Sequence, residues 1–141
     1  MYVLSKLSLS RLEGVHPKLS ELFKRAIVDS PHDFMVVQGL RTAEYQRELY
    51  SQGRTKPGKI VTNCDGYTHK SNHQAKSDGH GHAVDFAIYD PSIPGNIDWD
   101  NNKKYKEVAE HLKKVAAEMK INIEWGGDWR KFKDYPHIEL K

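Results

Sequence analysis

The chain has 141 residues, 38% of them hydrophobic and 29% charged, which suits one soluble globular domain with one core and excludes a second. Its formal net charge of +3, with eight histidines counted as neutral, favours approach to anionic polymers. No Lys/Arg block or interleaved aromatic run marks a nucleic-acid groove, and the only cysteine, Cys64, excludes an internal disulfide and reads as a free loop thiol.

Met1 to Leu12 alternates apolar and polar residues without a continuous apolar stretch, so it is neither a secretory signal nor a membrane span. Pro17 opens a helix in which Leu19, Leu22, Phe23, Ala26 and Ile27 recur at helical spacing, and Ser30-Pro31 ends it. Phe34 to Gln38 reads as a short buried strand. Thr42 is the expected N-cap of the next helix, which runs to about Gly53 with Glu44 in its first turn. Residues 53 to 81 show no periodicity, and so long a loop inside a compact domain is usually functional. His82 to Ile88 reads as a strand and Asp90 to Asn102 as a turn-rich connection. Tyr105, Val108, Ala109, Leu112, Val115, Ala116 and Met119 mark the clearest helix. Ile121 to Trp125 and Pro136 to Leu140 read as strands on either side of a Gly126-Gly127 turn. The expectation is an α+β domain spanning residues 1–141, with a small, mostly antiparallel sheet and flanking helices.

Three segments concentrate chemistry: Ser71-Asn72-His73, Gly81-His82-Ala83-Val84-Asp85, and Asp134-Tyr135-Pro136-His137. Two histidines and a carboxylate make a three-ligand metal set with an open fourth position, and a second carboxylate nearby can serve as a base. Strand parity sharpens this. Val84 and Phe86 want the core, which turns Asp85 to the opposite, cleft-facing side. Likewise His137 and Glu139 share one face while Ile138 and Leu140 face the core. Spacing alone is equally compatible with a surface hydrogen bond or salt bridge between Asp85 and His137. Asp134, three residues before His137, can act in proton transfer, or can simply form the turn before Tyr135-Pro136. Arg41, between the first strand and a helix cap, can hold a carboxylate or a developing oxyanion.

Gln38-Gly39-Leu40-Arg41-Thr42, the three segments above, and Trp125-Gly126-Gly127-Asp128-Trp129 occur in an order that resembles the zinc D-Ala-D-Ala carboxypeptidase (VanY-like) family. The resemblance extends from about Gly14 to Leu140 and is closest to the phage L-alanyl-D-glutamate endopeptidase endolysins. It implies a hedgehog/D,D-peptidase-like fold, one Zn²⁺ held by His73, Asp85 and His137, Asp134 as general base and Arg41 as transition-state stabiliser. It further implies that Ser71 supports the site and that Gln46 shapes the pocket. In that family seven positions usually separate the first histidine from the aspartate, whereas His73 and Asp85 are twelve apart. A five-residue insertion within Gln74 to His80 accounts for the difference. His69, His80 and His82 crowd the same loop; parity disfavours His82, and the preceding Ser71-Asn72 favours His73 over His80.

The implied activity is cleavage of the L-Ala–D-Glu bond in the stem peptide of bacterial peptidoglycan, causing lysis. A D-Ala-D-Ala carboxypeptidase and a non-catalytic, metal-dependent wall-binding module are the alternatives. The same reading expects a monomer in the host cytoplasm, without a wall-binding domain or stable membrane association. It would reach peptidoglycan in the periplasm once a holin breaches the membrane.

Overall fold

A computed structural model describes residues 1–141. Its elements are α1 (Lys6–Arg11), α2 (Pro17–Ala26), β1 (Phe34–Gln38), α3 (Ala43–Ser51), β2 (Ala83–Tyr89), β3 (Ile97–Asp98), α4 (Asn102–Glu118), β4 (Ile123–Trp125) and β5 (His137–Leu140). The sheet runs β1-β2-β5-β4, with β3 added to the far end of β2, and every pairing is antiparallel. The expected α+β architecture is therefore observed.

Local chemistry sets the helix limits. The Thr42 hydroxyl accepts the Tyr45 N–H at the start of α3, and Asn101 Oδ1 caps α4 by accepting the Lys104 N–H. At the other end of α4, Lys120 adopts a left-handed φ of 60°. Its N–H bonds Ala117 C=O and the Ile121 N–H bonds Ala116 C=O, a Schellman closure that lays Ile121 against the core.

The core lies on one face of the sheet. Leu19, Leu22 and Phe23 of α2 and Tyr105, Val108 and Leu112 of α4 pack on Val36, Val84, Phe86 and Ile138, all with no exposed surface. At about 1.5–3 kcal/mol for each fully buried large apolar side chain, this face supplies most of the stabilisation. The other face carries Asp85 and His137 and forms a cleft floor.

Two elements lie outside the sequence expectation. The N-terminal segment forms α1, whose Ser8 Oγ accepts the Val36 N–H while Arg11 donates to Val36 C=O. This short helix thus satisfies the open edge of β1. The connection after β2 contains β3, only two residues long. The Gly126-Gly127 turn is a 3₁₀ turn, Gly126–Asp128. No helix is long and apolar enough to cross a membrane.

Candidate metal centre

Antiparallel register puts Asp85 of β2 directly opposite His137 of β5, both on the cleft face. His137 Nδ1 lies 3.2 Å from Asp85 Oδ1. The third group comes from the long loop: His73 Nε2 lies 3.3 Å from the same Asp85 oxygen. The three donor atoms all fall within 4.8 Å of one another, and both imidazoles are buried.

His73 is tightly mounted although no regular element carries it. Its C=O accepts the Arg41 N–H and its own N–H donates to Ser71 Oγ. Gln74, also buried, accepts the Ser71 N–H and donates to Gly66 C=O, which ties the loop to itself. Gln74 pairs with Arg41 in an isolated bridge; the chain then turns through exposed residues 75–79 and rejoins the body at Gly81, which pairs with Val15. This excursion falls within the expected insertion. His80 and His82 end up beside His16, with ring centroids 5.8 and 5.2 Å from it, and outside the His73–Asp85–His137 group.

The outer nitrogen of each imidazole is already engaged. His73 Nδ1–H donates to Gly39 C=O at 2.9 Å, and His137 Nε2–H donates to Glu139 at 2.7 Å. The inner nitrogens both face Asp85 Oδ1, so a proton or a metal ion must lie between each imidazole and that oxygen. The spacing fits a metal. Ligands at about 2.0–2.1 Å from a tetrahedral zinc stand about 3.3 Å apart, and each imidazole nitrogen lies at 3.2–3.3 Å from Asp85 Oδ1. Asp85 Oδ2, the oxygen turned away from the imidazoles, accepts from Arg41 at 3.2 Å. Hydrogen-bonded outer partners of this type orient the ligand rings and raise their basicity.

With protons as the only cations, the charges distort strongly. Burial pushes the Asp85 carboxyl up, but His73 and His137 outweigh it and hold it far below the usual range. Burial lowers His137, yet its bonds to Asp85 and Glu139 prevail and raise it to about 9. Glu139 is raised by burial and lowered by His137 and Asn72, with a net fall. Asp134 is raised by partial burial and by the Asp85 charge; its side chain keeps 46% of its exposure, with Oδ2 3.9 Å from His137 Nδ1.

Arg41 and Gln46 meet above this floor. Gln46 is fully buried; its Oε1 accepts from Arg41 and its amide nitrogen donates to Thr62 Oγ1 and Cys64 C=O. Arg41 Nε, also buried, has no partner. The surrounding cleft measures about 580 Å³, with Ile60, Trp129 and Phe132 among its walls. Trp129 lies over His137, ring centroids 5.1 Å apart.

A profile of the phage L-alanyl-D-glutamate peptidase family matches residues 1–141. The chain belongs to that family. Among curated relatives, it is 36% identical over 133 residues to the peptidoglycan L-alanyl-D-glutamate endopeptidase CwlK of Bacillus subtilis, covering 93% of this chain and 74% of CwlK. It is 32% identical over 136 residues to the L-alanyl-D-glutamate peptidase of Escherichia phage T5, covering 96% and 87%. The solved structure of the Serratia marcescens L-Ala D-Glu endopeptidase ChiX superposes with a TM-score of 0.72 at 30% identity, over 99% of this chain and 91% of that one. The fold and the peptidase class expected from the motifs are thus those of the phage L-alanyl-D-glutamate peptidases.

The structure brings His73, Asp85, His137, Asp134, Arg41, Ser71 and Gln46 into one neighbourhood. Sequence reasoning assigned no role to Glu139, Asn72 or Gln74. Glu139 was open to detection, because it shares a strand face with His137 two residues away. Gln74 had no such signal, since its contacts depend on how the loop closes.

Proposed function

We propose that this protein is a zinc-dependent endopeptidase that cuts the L-Ala–D-Glu bond of the peptidoglycan stem peptide. In this reading His73 Nε2, Asp85 Oδ1 and His137 Nδ1 are the metal ligands. The observation that carries it is their convergence within 4.8 Å, both imidazoles about 3.3 Å from one Asp85 oxygen and both outer nitrogens already bonded. Bound Zn²⁺ supplies Lewis acidity toward a carbonyl oxygen and brings the pKa of water down to about 7.

The chain's own groups do the rest. Asp134 is half exposed to the cleft and carries a raised pKa, suited to taking a proton from water and then giving one to the leaving amine. Arg41 holds its guanidinium at the cleft wall through Gln46 and Asp85, a fixed positive charge for the oxygen that becomes negative in the tetrahedral state. Asp85 keeps that guanidinium from swinging away, and Trp129 covers one side of His137. In an endolysin role the enzyme acts once the membrane enclosing it is breached, the step a holin provides.

The test is mass spectrometry of fragments released from purified Gram-negative peptidoglycan, with chelator and with zinc restored. The expected products carry a new L-Ala carboxyl and a new D-Glu amine, only when zinc is present. Asp134→Ala should retain zinc within about threefold and lose at least about a hundredfold in turnover. Release of terminal D-Ala alone would replace the endopeptidase reading by a carboxypeptidase one.

A further inference from the structure

The substrate of the proposed reaction carries a charge that the cleft must meet. Glutamate has two carboxyl groups and only one continues the peptide, so the residue on the amine side of the scissile bond presents a free carboxylate. The centre opposes it, since Asp85, Asp134 and Glu139 all lie around the two imidazoles. Three other cationic side chains line the cleft: Arg41, Lys70 and Lys133. Arg41, held by Gln46 and Asp85, is already assigned to the oxygen that becomes negative in the tetrahedral state. The lysine ion pairs of this protein belong to Lys56 and Lys113, which leaves both cleft lysines without a carboxylate.

The two lysines differ in how they are held. Lys133 Nζ donates to Gly127 C=O at 3.1 Å. The neighbouring carbonyl, Gly126 C=O, accepts the Asp134 N–H at 3.0 Å. One short turn, Gly126–Asp128, therefore supports both the ammonium of Lys133 and the backbone of Asp134. Gly126 is needed for this approach, because a Cβ there would lie 2.3 Å from Asp134 C=O. Lys70 has no comparable tether. Asp134 is the group assigned to protonate the leaving amine, and the glutamate's free carboxylate is carried by that same leaving residue. A cation fixed beside Asp134 is the one placed to meet it.

We propose that Lys133 is a specificity residue that receives the free carboxylate of the leaving glutamate, held for that purpose by the turn that also supports Asp134. The assignment rests on the endopeptidase reading above. A charge-assisted contact with an exposed ammonium sets the expected scale on the order of tenfold to a hundredfold in kcat/KM.

The experiment uses the zinc-loaded full chain and two synthetic stem peptides, identical except that the free glutamate carboxyl is an acid in one and a primary amide in the other. The wild type should prefer the acid by that factor. Lys133→Gln should lose the same factor on the acid, mainly through KM, and change little on the amide, so that the preference collapses toward one. The glutamine keeps a donor for Gly127, which separates loss of charge from loss of the turn. Lys133→Arg should preserve the preference, as should Lys131→Ala, a neighbouring charge that does not line the cleft. Equal cleavage of both peptides by the wild type, or a preference that survives Lys133→Gln, would overturn the assignment. Cleavage of neither peptide by the wild type would overturn the endopeptidase reading itself.

Discussion

Glu139 offers the sharpest check on the proposed metal centre, because it bonds His137, a proposed ligand, and is assigned no part in the chemical step. Its Oε1 accepts from His137 Nε2 at 2.7 Å and its Oε2 from Asn72 Nδ2 at 3.0 Å, with only 13% of the side chain exposed. Glu139→Gln keeps an acceptor for His137, so ring and tautomer stay in place, but it removes the charge. A hydrogen bond to a charged partner contributes about 1.5–3 kcal/mol and a neutral one about 1, a difference of roughly 0.5–2 kcal/mol. Zinc affinity should therefore fall about two- to thirtyfold in the glutamine variant. Glu139→Ala also leaves His137 Nε2–H buried without a partner, and its loss should reach the upper part of the ten- to hundredfold range typical of such outer partners. Asn72→Ala, acting only through Glu139, should cost less than either. The assay is competition between the metal-free protein and a chromophoric chelator at fixed pH. An alanine variant with wild-type zinc affinity would refute the reasoning, as would an Asn72→Ala loss larger than that of Glu139→Ala.

Two further outcomes follow from the same geometry. Gln46→Leu strands the Cys64 carbonyl and removes a bond from Arg41, so stability should fall by about 1–3 kcal/mol, visible as a lower Tm, and turnover should fall with it; an unchanged Tm would contradict the role given to Gln46. For pH, the His137 pKa of about 9 in the metal-free protein lies above its unfolded value near 6.5. Its contribution is complete below about pH 6.5 and is lost as pH rises through 9, so the Tm of the metal-free protein should decline across that window. Zinc must displace this proton, so the stabilisation by zinc should grow over the same interval. Parallel Tm profiles with and without zinc would exclude proton–metal competition at His137.

The elements legible in the sequence were those with a strong period or a distinct cap. The helical repeat of Leu19, Leu22, Phe23 and Ala26, and the Thr42 hydroxyl, each mark a local free-energy preference that tertiary packing does not reverse. Helix α1 was not legible for the opposite reason. Its six residues are too few to stand alone, and it is held by bonds from Ser8 and Arg11 to Val36, partners 28 and 25 positions away. Two-residue β3 exists only because the end of β2 offers it a ladder.

The centre divides along the same line. Parity within β2 and β5 is a property of each strand alone, so the facing of Asp85 and His137 could be read before their pairing was known. Parity alone does not give the pairing, because register depends on the whole sheet; the order of the motifs is what joined Asp85 to His137. His73 is the harder case, since it sits in a loop with four histidines and no period. What sets it apart in space is its backbone: it is joined to Arg41 and Ser71, and its ring reaches Gly39. Gly39 has no room for a side chain, as a Cβ there would lie 2.0 Å from Arg11 C=O. Gly39 is thus fixed against α1 while its carbonyl holds the His73 ring, and residues 75–79 bulge outward beyond that anchored point. Residues beyond such an anchor can loop outward while His73 Nε2 stays 3.3 Å from Asp85 Oδ1. The length of that loop is therefore free to differ without changing the spacing in the site.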